Sequence, residues 1–151
     1  IALRFSQFPP EDMVGRKVCV LPVALYANVD YEIDPTKDFA EYPWVRWAKP
    51  YIHTPPELVA EKMSHSSSAS LYVTTYNTLT NLIRNGAGIG LLSPWFAGND
   101  PKLKRISPNI EEGAMDVWLL THPDLRGVKR IKAITDMIVE LFEQKATTSE
   151  T

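Results

Sequence analysis

Val73–Leu92, VTTYNTLTNLIRNGAGIGLL, is the stretch on which the fold turns. Leu71-Tyr72-Val73-Thr74 has the composition of a strand. The polar cluster Thr74 to Thr78 follows, and either Thr75 or Asn77 supplies an N-cap. Leu79, Leu82 and Ile83 then fall on one face of a helix. Asn85-Gly86 ends that helix, with Gly86 as the left-handed residue past its last turn. Ile89 to Leu92 reads as a compact strand closed by Ser93-Pro94. A strand, a helix and a second strand in this order are the unit from which α/β folds are built.

The glycines within this stretch, Gly86-Ala87-Gly88-Ile89-Gly90, suggest a dinucleotide fingerprint and fail as one. The pattern G-x-G-x-x-G needs glycine at the position held by Leu91, and it must follow a strand and open a helix. Here a helix precedes and a strand follows. Gly88 and Gly90 are read instead as letting the strand start tightly against its neighbours.

Outward from this segment the elements alternate. Ile1 to Phe5 reads as a short buried strand, and Phe8-Pro9-Pro10 as a break. Lys17 to Ala27 is a long β-rich run with Pro22 in its middle, which places Pro22 at a bend, an edge or a passage between two sheets. Asn28 to Lys37 is a loop, with Asp34 or Thr36 capping a short helical turn that ends near Tyr42. Trp44 to Trp47 is a strand bounded by prolines. Its two tryptophans point to opposite faces, so one belongs to the core. Thr54-Pro55-Pro56 starts a helix through Met63, and Ser64 to Ser70 is a loop. Leu103 to Ile106 and Met115 to Thr121 are further strands. Val128, Ile131, Ile134, Ile138 and Leu141 recur at helical spacing over about four turns, followed by a polar tail, 146–151, expected to be disordered. The class is α/β with an at least partly parallel sheet.

Composition fits this reading. The chain has 151 residues and 44% apolar content, enough for a core of ordinary size. Its net charge of −2, with both signs interspersed, lacks the basic footprint of a nucleic-acid-binding surface. The single cysteine, Cys19, lies in an apolar run, where it packs as a small hydrophobe and points to a reducing compartment. No apolar run reaches the roughly 20 residues of a membrane helix, and no signal peptide is visible.

The residues offer one candidate site. Thr74 to Thr78 joins the C-terminal end of a strand to a helix N-terminus, where free N–H groups and the positive end of the helix dipole converge. Ligands of open α/β sheets bind at such edges. Capping alone explains one or two of these five polar residues. Arg4-Phe5-Ser6, after the first strand, is placed to face the same cleft, and Arg4 suits a carboxylate. His53, His65 and His122 lack companions at metal-ligand spacing, so no metal or cofactor is expected. Ser64-His65-Ser66 is tempting as a nucleophile and base, but adjacent side chains diverge in an extended segment. No convergent set of titratable residues argues for an enzyme.

The ordered segments resemble LysR-type transcriptional regulators. Val73 to Leu92 is similar to that family's strand, polar cap, helix and "aGxGixLL". MDVWLLTHPDLRGVKRIKAITDMIVELF (115–142) is similar to its closing "lWLxxhpdlr" strand and final helix. Ile1 to Arg4 resembles "diaiR", and Gly15-Arg16-Lys17-Val18 resembles "gRxl". Ser93 intervenes where proline often follows directly, and Ile134 stands where an aromatic residue is common.

The resemblance implies a type 2 periplasmic-binding-protein-like fold: one complete α/β lobe plus part of a second, joined by crossover strands. Residues 1–18 and 122–145 would form the partial first lobe, and 19–121 the second with its hinge strands. Lys17 to Ala27 and Met115 to Thr121 would be the crossovers. It further implies a cytoplasmic, bacterial sensor that binds a small-molecule effector, in many relatives a carboxylate, between the lobes. Thr75, Tyr76, Asn77 and Thr78 would contact the effector, with Arg4, Phe5 and Ser6 across the cleft. The protein would act as a homodimer or higher oligomer and would reach DNA only through an N-terminal helix-turn-helix domain absent from this sequence. An incomplete first lobe would leave the last helix with uncovered apolar surface. The alternative is a stand-alone solute-binding protein, and upstream sequence would distinguish the two.

Overall fold

The computed structural model describes residues 1–6, 13–65, 70–125 and 127–148, with side chains described to residue 145. The breaks expected at Phe8-Pro9-Pro10 and in most of the Ser64 to Ser70 segment lie outside these residues. In chain order the elements are β1 (Ala2–Phe5), β2 (Val14–Leu21), β3 (Ala24–Asn28), β4 (Trp44–Trp47), α1 (Pro55–Ser64), β5 (Ser70–Val73), α2 (Tyr76–Arg84), β6 (Gly90–Leu92), α3 (Pro94–Ala97), β7 (Leu103–Arg105), β8 (Met115–Thr121) and α4 (Lys129–Thr148). Among the described residues three single-turn 3-10 helices punctuate the loops. The fold is the α/β architecture expected. It forms two compact units, Pro22–Ala114 and Ile1–Leu21 with Met115–Thr151. The chain passes between units at Pro22, where the missing ladder donor ends β2 before β3 begins in another sheet.

The larger unit is layered. β3 pairs antiparallel with β6 on one side and β7 on the other, while β4 and β5 pair in parallel. A bridge joins the two sets: Val45 N–H donates to the Ile89 carbonyl and Ile89 N–H to the Pro43 carbonyl, both at 2.8 Å. β3 is buried on both faces. Ala24 and Tyr26 meet Leu79 and Ile83 of α2, whereas Leu25 and Ala27 meet Val59 and Ala60 of α1. This is the period-2 alternation of a strand covered by helices on both sides. Trp44 is fully buried and Trp47 only partly, so the tryptophan pair divides as expected.

Two local readings are corrected. The helical turn before Tyr42 is capped by Asp38, not by Asp34 or Thr36. Asp38 accepts from Ala40 N–H at 2.9 Å while the Glu41 carboxylate takes Asp38 N–H at 3.0 Å, a reciprocal box. Asp34 is engaged by the Thr36 N–H and hydroxyl, which hold its carboxyl below the usual carboxylate range.

The second correction concerns β1. In the smaller unit β8 is the central strand, paired antiparallel with β1 and β2. β1 is therefore an edge strand and is exposed, not buried, because α4 packs over β2. α4 is 20 residues long, about five and a half turns, so it outruns the apolar spacing that located it. Ser149 to Thr151 lie outside the described residues. Among the described residues no helix is long and apolar enough to cross a membrane.

Candidate functional site

The N-terminus of α2 forms directly from its sequence. Val73 is the last residue of β5, and Thr75 keeps an extended backbone (φ −130°, ψ 146°), so its hydroxyl reaches forward to accept Thr78 N–H at 3.2 Å. The Thr75 and Thr78 hydroxyls also lie 2.8 Å apart. The cap leaves the Tyr76 and Asn77 N–H groups without acceptors inside the helix. Thr75, Asn77 and Thr78 are exposed, and Tyr76 is half-buried. The structure thus brings the four residues of this segment together on one helix end, with hydroxyl, amide and N–H groups and a positive dipole.

Tyr76 adds what the sequence did not indicate. Its ring meets Phe96 edge-to-face, with centroids 5.8 Å apart, and Phe96 remains exposed. Ser93 caps α3 through Trp95 N–H, which fixes the segment carrying Phe96. The Tyr76 and Thr80 hydroxyls are both buried without a hydrogen-bond partner. Burial pushes the Tyr76 phenol up, against the opposing pull of the nearby Ser93 main chain and Thr80 hydroxyl.

Arg4, Phe5 and Ser6 lie in the other unit. Arg4 and Phe5 project from opposite faces of β1. Arg4 stands opposite Trp118, which has Lys17 on its other side, while Phe5 stands opposite Val117. Ser6 continues the pairing by donating its N–H to the Asp116 carbonyl at 3.1 Å. Lys17 is occupied by Asp116 at 2.6 Å, so Arg4 is the side chain of this row better placed for an anion.

A cleft of about 430 Å³ in the larger unit is lined by Arg46, His53, Glu57, Glu61 and Tyr72 among others. Its buried charges, Arg46 and Glu57, are spent on each other. This pair went unnoticed in the sequence because its members sit on different elements. Among the described residues no group of three or more His, Cys, Asp or Glu is placed to hold a metal ion.

Cys19 sits half-buried in β2, and burial together with Asp116 pushes its thiol up to about 11. At neutral pH it is a protonated, poor nucleophile. Iodoacetamide at pH 7.5 is expected to modify it about 100-fold more slowly than an unperturbed thiol, as followed by intact mass. A rate equal to that of glutathione would contradict this environment.

A family model described as the LysR substrate binding domain matches residues 1–143. No curated protein matches the chain at a significant level. Among solved structures, the chain is similar to the CrgA regulatory domain, a LysR-type transcriptional regulator from Neisseria meningitidis. The TM-score is 0.73 at 16% identity, over 93% of this chain and 74% of that one. It is similar to the effector domain of the transcriptional regulator AmpR of Pseudomonas aeruginosa, with TM-score 0.74 at 12% identity, over 99% and 74%. It is also similar to Vibrio fischeri DarR, solved in complex with DNA, with TM-score 0.67 at 15% identity, over 92% and 50%. At these identities the likeness establishes the fold.

Proposed function

The chain belongs to the LysR substrate binding domain family, and from that premise we propose that it senses a small-molecule effector held at the N-terminal end of α2. The observation that carries this reading is the Thr75 cap, which leaves the Tyr76 and Asn77 N–H groups directed outward among exposed Thr75, Asn77 and Thr78. Such an end favours an anionic or strongly polar group, and a carboxylate fits. Tyr76 and Phe96 supply an apolar wall beside it. Arg4, Phe5 and Ser6 are the contacts proposed from the other unit, with Arg4 pairing the carboxylate.

The effector acts by binding one conformation more tightly than another, which shifts the population of the regulator. DNA contact belongs to a separate helix-turn-helix domain, in keeping with a net charge of −2 here. A cytoplasmic setting and a role as sensor rather than enzyme follow from the same reading.

The test is calorimetric titration of the chain with a panel of small mono- and dicarboxylates. For a carboxylate that binds, Asn77→Ala and Thr75→Ala are each expected to weaken affinity about tenfold, or 1.4 kcal/mol. Thr75→Ala also loses about 1 kcal/mol of helix stability, whereas Thr75→Ser keeps the cap. Unchanged affinity in both alanine variants would remove the site from this end of α2.

A further inference from the structure

We propose that the larger unit carries a docking groove for a basic segment of another protein, which sets one apolar side chain between Phe39 and Ile110 and its cations against the carboxylates around them. The first observation is the groove. A cleft of about 380 Å³ opens between the single-turn helix Phe39–Glu41, α1 and the turn Glu111–Gly113. Phe39, Val59, Met63 and Ile110 line it, with Lys62 and Glu112 among others. Phe39, Met63 and Ile110 are only partly buried, yet they pack on the buried cluster of Leu25, Trp44 and Ile89. The floor of the groove is thus the outer surface of a core. That cluster lies on the face of β3 opposite α2, so the groove is separate from the effector site proposed above.

Both walls are tied down. Trp44 Nε1 donates to the Phe39 carbonyl at 2.9 Å, and the reciprocal box between Asp38 and Glu41 fixes the same turn. Across the groove, Ile110 N–H donates to the Val23 carbonyl at 2.9 Å and Gly113 N–H to the Ile110 carbonyl at 3.1 Å. A groove held open in this way needs little ordering to accept an anchor. Its volume stands at the low end of pockets that enclose whole small molecules, roughly 300–1,000 Å³. That is room for an anchoring side chain and the backbone beside it.

The charge around the groove selects the partner. The stretch 30–41, which contains Phe39, carries Asp30, Glu32, Asp34, Asp38 and Glu41 against Lys37 alone, and the opposite wall adds Glu111 and Glu112. All of these carboxylates are exposed. Among the described residues none of them forms a salt bridge. Two further cations stand near. Arg105 is held by the Ser107 carbonyl at 2.7 Å and Asn109 Oδ1 at 2.9 Å, and Lys62 shares the groove with Glu112. The balance is negative. A single small cation meets only part of this spread. A chain segment with Lys or Arg on either side of an apolar residue meets both walls at once, and long-range attraction raises its rate of encounter. The buried anchor supplies the affinity.

Selection of a random-peptide phage library on the whole 151-residue chain tests this. Enriched peptides are expected to carry Lys or Arg on both sides of a Leu, Phe or Trp. With the most enriched of them as a synthetic peptide, amide shifts in nitrogen–proton correlation spectra are expected to centre on Phe39, Met63, Ile110 and Glu112. Serine in place of the peptide's apolar anchor should weaken binding about tenfold. The double variant Glu111→Lys with Glu112→Lys, at two exposed positions, should slow association of the original peptide about tenfold, as read by surface plasmon resonance. A library without an enriched family overturns the proposal, as do enriched peptides that are neutral or acidic. So do shifts centred elsewhere, or an anchor that serine replaces without loss, the mark of diffuse charge attraction. An unchanged association rate in the folded double variant also overturns it. The anchor replacement is made in the peptide against the wild-type chain, so it decides even where the double variant fails to fold.

Discussion

Arg46→Ala is expected to cost about 3–5 kcal/mol of folding stability, the range for removing one member of a buried ion pair. Arg46 of β4 and Glu57 of α1 are 6% and 2% exposed. Arg46 Nε donates to Glu57 Oε1 at 2.8 Å, and Nη2 lies 2.5 Å from the same oxygen. The other carboxylate oxygen accepts Trp47 N–H at 2.9 Å. Nη1 donates to the Ser64 hydroxyl at 3.2 Å, and the guanidinium lies 5.5 Å from the centre of the Tyr72 ring. One side chain thus ties both ends of α1 to β4 and β5, and its removal leaves a buried carboxylate without its counter-charge.

The cost should depend on pH. Burial already holds the Glu57 carboxyl above the usual range, against the pull of Trp47 N–H and Arg46. Removing Arg46 raises it further, because one of the opposing influences is gone. The folded state then retains a proton that the unfolded state releases, so stability falls as pH rises from the ordinary glutamate range to the raised value. The deficit of Arg46→Ala is therefore expected to be largest near pH 7 and to shrink toward pH 4. In the Arg46→Ala background, Glu57→Gln mimics the protonated form and keeps an acceptor for Trp47, so the double variant should recover part of the loss at pH 7. Urea unfolding at several pH values checks both. A deficit that is flat with pH would mean that Arg46 acts by packing alone.

That pair shows what the sequence withholds. WVRW reads as a strand, and the helix from Pro55 reads as a helix, but nothing local says that Arg46 and Glu57 meet across the space between them. What was legible was short-range. The Thr75 cap is set by its bond to Thr78, and the end of α2 by Gly86 at φ +76°. The passage at Pro22 is set by a missing donor. The run from Lys17 to Ala27 was legible as β-rich, but not that β3 within it is buried on both faces. The Asp38 cap was missed among several loop residues able to cap, because the choice depends on Glu41 returning the bond while Asp34 is taken by Thr36. The polar run at α2 was visible as a candidate site. Its aromatic wall was not, because Phe96 reaches Tyr76 only through the α3 turn. The exposure of β1 was equally hidden, since an apolar strand looks the same whether or not a layer covers it.

Gly88→Ala is expected to cost about 3 kcal/mol, the top of the usual range for an overpacked site. A Cβ at Gly88 would lie 2.5 Å from the Pro43 carbonyl oxygen and 2.9 Å from its carbon. These are main-chain atoms held between two prescribed bonds, since the same carbonyl accepts Ile89 N–H and Ile89 in turn accepts Val45 N–H. Relief by moving Pro43 would open the bridge between β4 and the β6-β3-β7 sheet, a seam on which Trp44 and Ile89 are both fully buried. The neighbouring glycines calibrate the effect. At Gly90 the new Cβ meets the Val45 carbonyl at 2.8 Å and the tip of Ile83 at 2.7 Å, and the side chain can yield. At Gly86 nothing lies within 4 Å, so only the positive φ is penalised, by about 1 kcal/mol. Chemical denaturation of the three alanine variants should therefore rank Gly88 above Gly90 and Gly90 above Gly86, with effector affinity unchanged for Gly86→Ala. The same motif read as a phosphate cradle demands the reverse, a loss of binding with little loss of stability. The rank order decides whether these glycines serve the ligand or let two strands approach.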